Sequence, residues 1–308
     1  MEDKIYDLAI LGAGPAGISA AIYASRAELD TIWLDNKFIP GGQVMDTYEV
    51  DNYPGLPGIT GIGLGEAMAA HAEKLGMKPQ RELVRGVTEE DGMKVIVTKK
   101  NQYRAKTVII ACGAKHRKLE IPGEEELSGM GVSYCATCDG AFFKDCTIAV
   151  IGGGNVAVED AIFLSRTCKK VYLIHRREAL RADRVLQNKL SSCENVEIIW
   201  DSVPAVIEGT DAVQSLKVRN VHSGEETALM VQGVFVAVGI VPDTERFKDL
   251  AELDESGYII AGEDCVTSAP GIFAAGDIRT KQLRQVVTAA ADGANAVTSV
   301  QRYLIEEK

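Results

Sequence analysis

A glycine-rich turn set between a short apolar run and a helix-forming run occurs twice in this chain. That duplication constrains the fold more than any other feature. The first copy is Gly12-Ala13-Gly14-Pro15-Ala16-Gly17 and the second is Gly152-Gly153-Gly154-Asn155-Val156-Ala157. The runs before them, Tyr6–Leu11 and Thr147–Ile151, are apolar on both faces, which is the pattern of a buried parallel strand. Small and apolar residues at helical spacing follow, from about Pro15 to Glu28 and from Asn155 to Thr167. A second strand closes each copy, Thr31–Asp35 and Val171–Ile174. Strand, turn, helix, strand is the context in which G-x-G-x-x-G/A signifies a dinucleotide site. The chain is therefore expected to be α/β, with two Rossmann-like, three-layer ββα nucleotide-binding domains.

At 308 residues there is enough chain for two cores. Between the copies, Gly61–Leu75 reads as a helix, and Met93–Thr98 and Tyr103–Ala111 as strands of a β-rich insertion. Beyond the second copy the pattern gives a helix around Ala179–Leu190 and strands near Val196–Trp200, Val213–Val221 and Val231–Ala237. A further strand runs through Gly271–Ala275 into Gly276-Asp277, and a final helix spans about Arg284 to Leu304. The segments Gly113–Lys118 and Pro242–Phe247 join strand ends to turn-forming residues and read as domain crossings. If the terminal segment returns to the first domain, the second is inserted into it: residues 1–116 with 245–308 then form a discontinuous first nucleotide-binding domain, and 117–244 a second that carries the Cys135–Cys138 pair. Two thin crossings make a natural hinge pair.

With 33 basic and 44 acidic residues, the net charge of −11 argues against nucleic acid and anionic membrane surfaces, which draw on clustered Lys and Arg. No apolar run approaches the roughly 20 residues of a spanning helix. Met1-Glu2-Asp3-Lys4 has no signal-peptide organisation, so a cytoplasmic location is expected.

The glycines of the first copy have separate jobs. Gly12 makes the tight turn, Gly14 lets backbone approach a pyrophosphate, and Gly17 lets helix and strand pack closely. The pyrophosphate rests on the positive helix end beside Pro15 and Ala16. A carboxylate about 20 residues on should accept from a ribose hydroxyl, and Asp35 stands there. Gly41-Gly42-Gln43 and Asn52-Tyr53-Pro54-Gly55 offer an isoalloxazine pocket, and Gly276-Asp277 a carboxylate and amides for a ribityl chain. The second copy contributes Gly152, Gly154, Asn155 and Ala157, but its second strand ends in His175-Arg176-Arg177-Glu178, with Arg181 one helical turn later. Guanidinium groups bind a 2′-phosphate that a carboxylate would repel, which favours NADPH over NADH. His175 packs beside the adenine or helps hold the phosphate, with no proton-transfer role.

Seven cysteines are scattered along the chain, and only Cys135 and Cys138 are close enough to share a chemical task. In Cys135-Ala136-Thr137-Cys138-Asp139, two thiols at the start of a helical turn can close a small disulfide ring. Asp139 is a candidate acid/base for the departing thiolate. Structural zinc would want two more ligands at matched spacing, and neither Cys146 nor any of the four histidines supplies one. No metal is expected.

On these motifs, with Ala275-Gly276-Asp277 and Arg284-Gln285-Val286, the chain resembles the low-molecular-weight thioredoxin reductases of bacterial and archaeal type over its whole length. The resemblance implies a homodimeric flavoprotein with non-covalent FAD. NADPH reduces the flavin, and the flavin reduces the Cys135–Cys138 disulfide. Cys138 is then the sulfur facing the flavin, Cys135 the one exchanging with thioredoxin, and Asp139 the acid/base. Gln43, Asn52, Asp277, Arg284 and Gln285 fall where the family holds FAD. Rotation of one domain against the other alternates access to the dithiol. Asp35 stands where the family often has Glu, Cys112 where Thr is usual, and Ala141-Phe142-Phe143 shifts an aromatic pair implicated in docking thioredoxin. Alternatives of the same fold are a reductase of another disulfide partner (a peroxiredoxin system or a glutaredoxin-like protein), a ferredoxin-dependent reductase and a dithiol oxidase. A ferredoxin–NADP reductase-like flavoprotein and a non-catalytic NADPH sensor are further alternatives.

Overall fold

The structure is a computed structural model and describes residues 4–37, 39–47, 50 and 52–306. Met1–Asp3, on which the reading of the N-terminus partly rests, lie outside them. Contacts divide the chain into two compact units: residues 116–240 form one, and residues 4–46, 50–115 and 241–306 the other.

The larger unit opens with β1 (Ile5–Leu11), α1 (Pro15–Arg26) and β2 (Thr31–Asp35), followed by α2 (Gly61–Lys74), β3 (Gln80–Arg81), β4 (Val84–Glu90), β5 (Met93–Thr98), β6 (Gln102–Ile110) and β7 (Ala114–His116). Its sheet runs β3-β2-β1-β6-β5-β4. The β1 pairings with β2 and β6 are parallel, whereas the β4–β5–β6 pairings are antiparallel. Alternation along β1 sorts the core. Leu8 and Ile10 join Ile18, Ala20 and Val300 on the helical side. Ala9 and Leu11 join Ile96, Phe247 and Ile259 on the other. Both faces are covered, which is why this strand carries no polar residue beyond Asp7.

The smaller unit contains β8 (Val132–Ser133), α3 (Ala136–Asp139), β9 (Thr147–Ile151), α4 (Asn155–Leu164), β10 (Lys170–Ile174), α5 (Arg184–Ser191), β11 (Val196–Ile199), β12 (Ser202–Gly209), β13 (Val213–Asn220), β14 (Glu226–Met230) and β15 (Gly233–Val236). A parallel sheet ordered β11-β10-β9-β15-β8 carries α4 and α5 on one face. The antiparallel meander β12-β13-β14 packs on the other through Ile207, Leu216 and Val218. Helix, parallel sheet and meander are the three expected layers. The chain then returns through β16 (Ile240–Pro242), which pairs with β7, to β17 (Ile272–Ala274) and α6 (Val286–Glu306). β17 lies parallel to the C-terminal half of β6.

Among the differences from the sequence reading, three helices are shorter than expected. The helix expected from Ala179 begins at Arg184, because Arg181 N–H donates to Gly153 O (2.7 Å) and Asp183 is pinned to Asn155 by two hydrogen bonds (2.8 and 2.9 Å). Helix α1 stops at Arg26, ahead of Glu28 with its positive φ of 55°. Helix α4 stops at Leu164 instead of reaching Thr167.

Candidate active site

The first glycine-rich turn is built by contacts that exclude side chains. Gly12 has φ +110°, and a Cβ on Gly17 would sit 2.0 Å from Gly12 O. Trp33 Nε1–H donates to that same carbonyl at 2.9 Å, fixing the turn from β2. Gly14 occupies the N-cap position of α1 with no side-chain cap, so the first amides of the helix are presented to a ligand. Asp35 at the end of β2 accepts from Ala13 N–H at 2.5 Å and Lys37 N–H at 2.6 Å. Each oxygen keeps a second acceptor position, as a ribose hydroxyl requires. Gly41 N–H donates to Ala13 O at 2.7 Å, bringing the Gly41-Gly42-Gln43 segment over the turn, and Gln43 Nε2 donates to Ala114 O.

The C-terminal segment reaches the same turn. A Cβ on Gly276 would meet Ala16 Cβ at 2.9 Å, so Gly276-Asp277 abuts the start of α1. Asp277 Oδ1 and Arg284 Nε are buried with no hydrogen-bond partner, and burial pushes the Asp277 carboxyl upward against the opposing pull of Lys281 and Arg284. The Arg284 guanidinium lies 4.0 Å from the Tyr258 ring centre. Asn52 Nδ2 donates to Gln285 Oε1 at 2.9 Å across 233 residues of sequence, and Val286 opens α6 beside Gln285. Orphaned buried polar atoms, an open helix end and an acid at the second strand are together what a dinucleotide such as FAD would satisfy. Cys112, at the end of β6, is a protonated thiol: burial pushes it up to about 11, and its Sγ–H donates to Leu11 O at 3.4 Å.

In the smaller unit, Gly154 holds the N-cap of α4, and a Cβ there would meet nothing within 4 Å. Gly152 at φ +152° and Ala157 complete the turn. His175 is buried under it, with Nε2 3.0 Å from Ala179 O and its ring against Gly153. Burial depresses its pKa, opposed by the Ala179 bond and aided by Arg181 and Arg177, which favours the neutral imidazole. Arg176, Arg177 and Arg181 are exposed, and the Arg181–Gly153 bond sets the third arginine beside the glycine-rich turn.

Cys135 and Cys138 form a disulfide with Cα atoms 5.3 Å apart, both half-buried. Cys135 caps α3, which is one turn long. Asp139, the last residue of that turn, accepts from Ser133 Oγ at 2.5 Å, while its Oδ1 is buried and unpartnered. Burial raises the Asp139 pKa and the Ser133 bond opposes it. Ser133 also accepts from Cys135 N–H at 3.1 Å. It therefore joins the first cysteine to the acid, a role invisible in sequence, where the only cue is a hydroxyl two residues before a dithiol. Glu124 and Tyr134 were likewise unsignalled. Tyr134 O–H donates to Glu124 Oε1 at 2.8 Å directly before Cys135, and the His116 ring stacks on it at 5.1 Å. Among the described residues no His, Cys, Asp and Glu cluster could hold a metal, and no helix is long and apolar enough to cross a membrane.

Two pyridine-nucleotide-type turns and a dithiol define a disulfide oxidoreductase. The pattern of the pyridine nucleotide-disulphide oxidoreductases matches residues 6–293. Thioredoxin reductases of Listeria innocua and Bacillus subtilis are 46% and 44% identical, covering 100% and 99% of this chain and 96% of each relative. The crystal structure of thioredoxin reductase from Streptococcus pyogenes, 44% identical, superposes with a TM-score of 0.93 over 99% of this chain and 100% of that one. The chain belongs to the pyridine nucleotide-disulphide oxidoreductase family. Thioredoxin-disulfide reduction is the activity that these full-length relatives and the Cys135–Cys138 pair support.

Proposed function

We propose that this protein is a homodimeric, NADPH-dependent thioredoxin reductase that passes electrons through FAD to the Cys135–Cys138 disulfide and on to thioredoxin. The observation that carries the reading is the disulfide at the head of a helical turn whose last residue is a buried carboxyl with a raised pKa. Bound flavin supplies the two-electron relay between the nicotinamide and the disulfide. Residues 4–46, 50–115 and 241–306 hold it, with Gly14 to Gly17 at the pyrophosphate, Asp35 at the ribose, and Gln43, Asp277 and Arg284 toward the remaining polar groups. Arg176, Arg177 and Arg181 select the 2′-phosphate of NADPH, and the Gly152–Ala157 turn seats its pyrophosphate.

When the disulfide takes up two electrons, the S–S bond breaks and one sulfur leaves as thiolate. Asp139 delivers a proton to that sulfur, and burial, which raises its pKa, favours the protonated carboxyl that this step draws on. Cys135, the exchanging sulfur in this reading, attacks the thioredoxin disulfide and forms a mixed disulfide. Cys138 then displaces reduced thioredoxin and restores the internal bond. Thioredoxin gains two electrons and two protons, one from the enzyme thiol and one from solvent, and the pair returns to its starting state with Asp139 reprotonated from solvent.

The test is nicotinamide oxidation by the flavin-loaded protein with thioredoxin. Turnover with NADPH, at least tenfold slower with NADH, and its loss in Cys135→Ser with flavin reduction intact, is the expected result. Failure of both nicotinamides to reduce the flavin would overturn the assignment of the donor and bring a ferredoxin-linked or oxidase reaction forward.

A further inference from the structure

Asp292, on the inner face of α6, sits in a charge network that the electron relay does not use. Its Oδ2 accepts from Gly276 N–H (2.9 Å), Arg279 Nε (2.9 Å) and Lys281 Nζ (2.8 Å), and its Oδ1 from Arg279 Nη2 (2.6 Å). The three charged side chains are 5%, 9% and 6% exposed. Arg279 is further saturated by Ala261 O and Thr280 O, and the Asp292 backbone carbonyl accepts from the buried Cys265 thiol. Ion pairs this deep lose in desolvation much of what they gain in attraction, and apolar replacements often match them for stability. What a saturated network does supply is a single arrangement of the backbone it holds.

The backbone held here is the Gly276-Asp277 turn. Gly276 has φ +80° and abuts Ala16 in the first turn of α1. Next to Asp292, a Cβ on Gly293 would lie 2.2 Å from Ala16 O. Helix α6, the turn and the start of α1 thus meet at one point, with Asp292 the hydrogen-bonded link between the helix and the turn. Asp277, the next residue along, carries the buried, unpartnered Oδ1.

We propose that Asp292 is the positioning residue of the flavin site. By binding the Gly276 amide and clamping Arg279 and Lys281, it fixes the turn that aims Asp277, and flavin affinity depends on it through Asp277. This rests on the reading of Asp277 as a flavin-binding residue.

The test is a double-mutant cycle on FAD dissociation constants, measured by flavin fluorescence on rebinding to the flavin-stripped full chain. All variants carry Lys281→Met, which removes one of the two cations that loss of Asp292 would strand. Asp277→Ala and Asp292→Ala are each expected to weaken FAD at least tenfold. The combination should weaken it no more than about twofold beyond the larger single effect, and Asp292→Asn, which keeps an acceptor for the Gly276 amide, should recover most of the affinity. Multiplying single effects, or unchanged affinity in Asp292→Ala, would overturn the inference. Unchanged affinity in Asp277→Ala would instead overturn the flavin assignment of Asp277, and the inference with it. Should Asp292→Ala fail to fold, the cycle is run with Asp292→Leu and Asp277→Ala in an Arg279→Met, Lys281→Met background, which strands neither cation, and non-additivity is again required.

Discussion

Replacing Glu124 by Gln should loosen the segment leading into the dithiol by an amount set by one reversed hydrogen bond. Glu124 is 1% exposed. Its Oε1 accepts from Leu119 N–H and Tyr134 O–H, and its Oε2 from Glu120 N–H, all at 2.8 Å. A glutamine carbonyl can keep the first two. Its amide group then faces the Glu120 N–H, donor against donor. Losing a bond to a charged acceptor costs about 1.5–3 kcal/mol, and the glutamine amide, buried where the Glu124 carboxylate lies, is left facing a donor, so about 3 kcal/mol is the expected total. At 1.4 kcal/mol per decade, the Glu120 amide should exchange with solvent deuterium about 100-fold faster in Glu124→Gln. The assay is native-state hydrogen exchange resolved at Glu120. Tyr134→Phe serves as the control, since it removes the phenolic bond and leaves both backbone donors paired. Protection at Glu120 within threefold of the parent protein would refute the reasoning, because it would mean that the carboxylate does not hold that amide. The Tyr134 phenol should also titrate well above the usual range, because burial and then the Glu124 carboxylate hold its proton.

Three further outcomes are expected. Gly17→Ala places a Cβ 2.0 Å from Gly12 O, backbone against backbone, so the turn must open and FAD retention on gel filtration should be lost while circular dichroism stays near native. Arg181→Ala should raise KM for NADPH by about 10- to 100-fold, the worth of one charge-assisted pair, with KM for NADH within about twofold. Asp160 on α4 is pushed up to about 7 by burial and then by Glu159. The native state therefore keeps a proton that the unfolded chain releases near pH 4, so stability falls as pH rises from 4 to 7. Asp160→Asn should match the parent protein in urea melts near pH 4 and exceed it by on the order of 1–3 kcal/mol at pH 8.

Legibility followed range. The strands Thr31–Asp35 and Thr147–Ile151 and both glycine turns could be read because each rests on residues adjacent in the chain: an apolar run, a turn, a helix start. The helix expected from Ala179 starts at Arg184, because its missing first turn is spent on Gly153 and Asn155, which no local propensity encodes. The strands β12 and β14 went unread because half-exposed meander strands lack the continuous apolar run of the parallel sheet, and β14 is exposed at four of five positions.

The same division runs through the candidate site. Sequence alone determined the chemistry on offer: the Cys135–Cys138 pair, the acid beside it, the glycine turns and the arginines after β10. Each is a matter of residue type at fixed short spacing, which the chain carries whether folded or not. Only the tertiary structure decided the environments. It set Asp139 beside Ser133, buried His175 under its glycine turn, and joined Glu124 to Tyr134. It also brought Asn52 to Gln285 and Asp292 to Gly276. Burial and hydrogen-bond saturation, which set proton affinity and position, are properties of neighbours in space, and a chain has those neighbours only once its layers have packed.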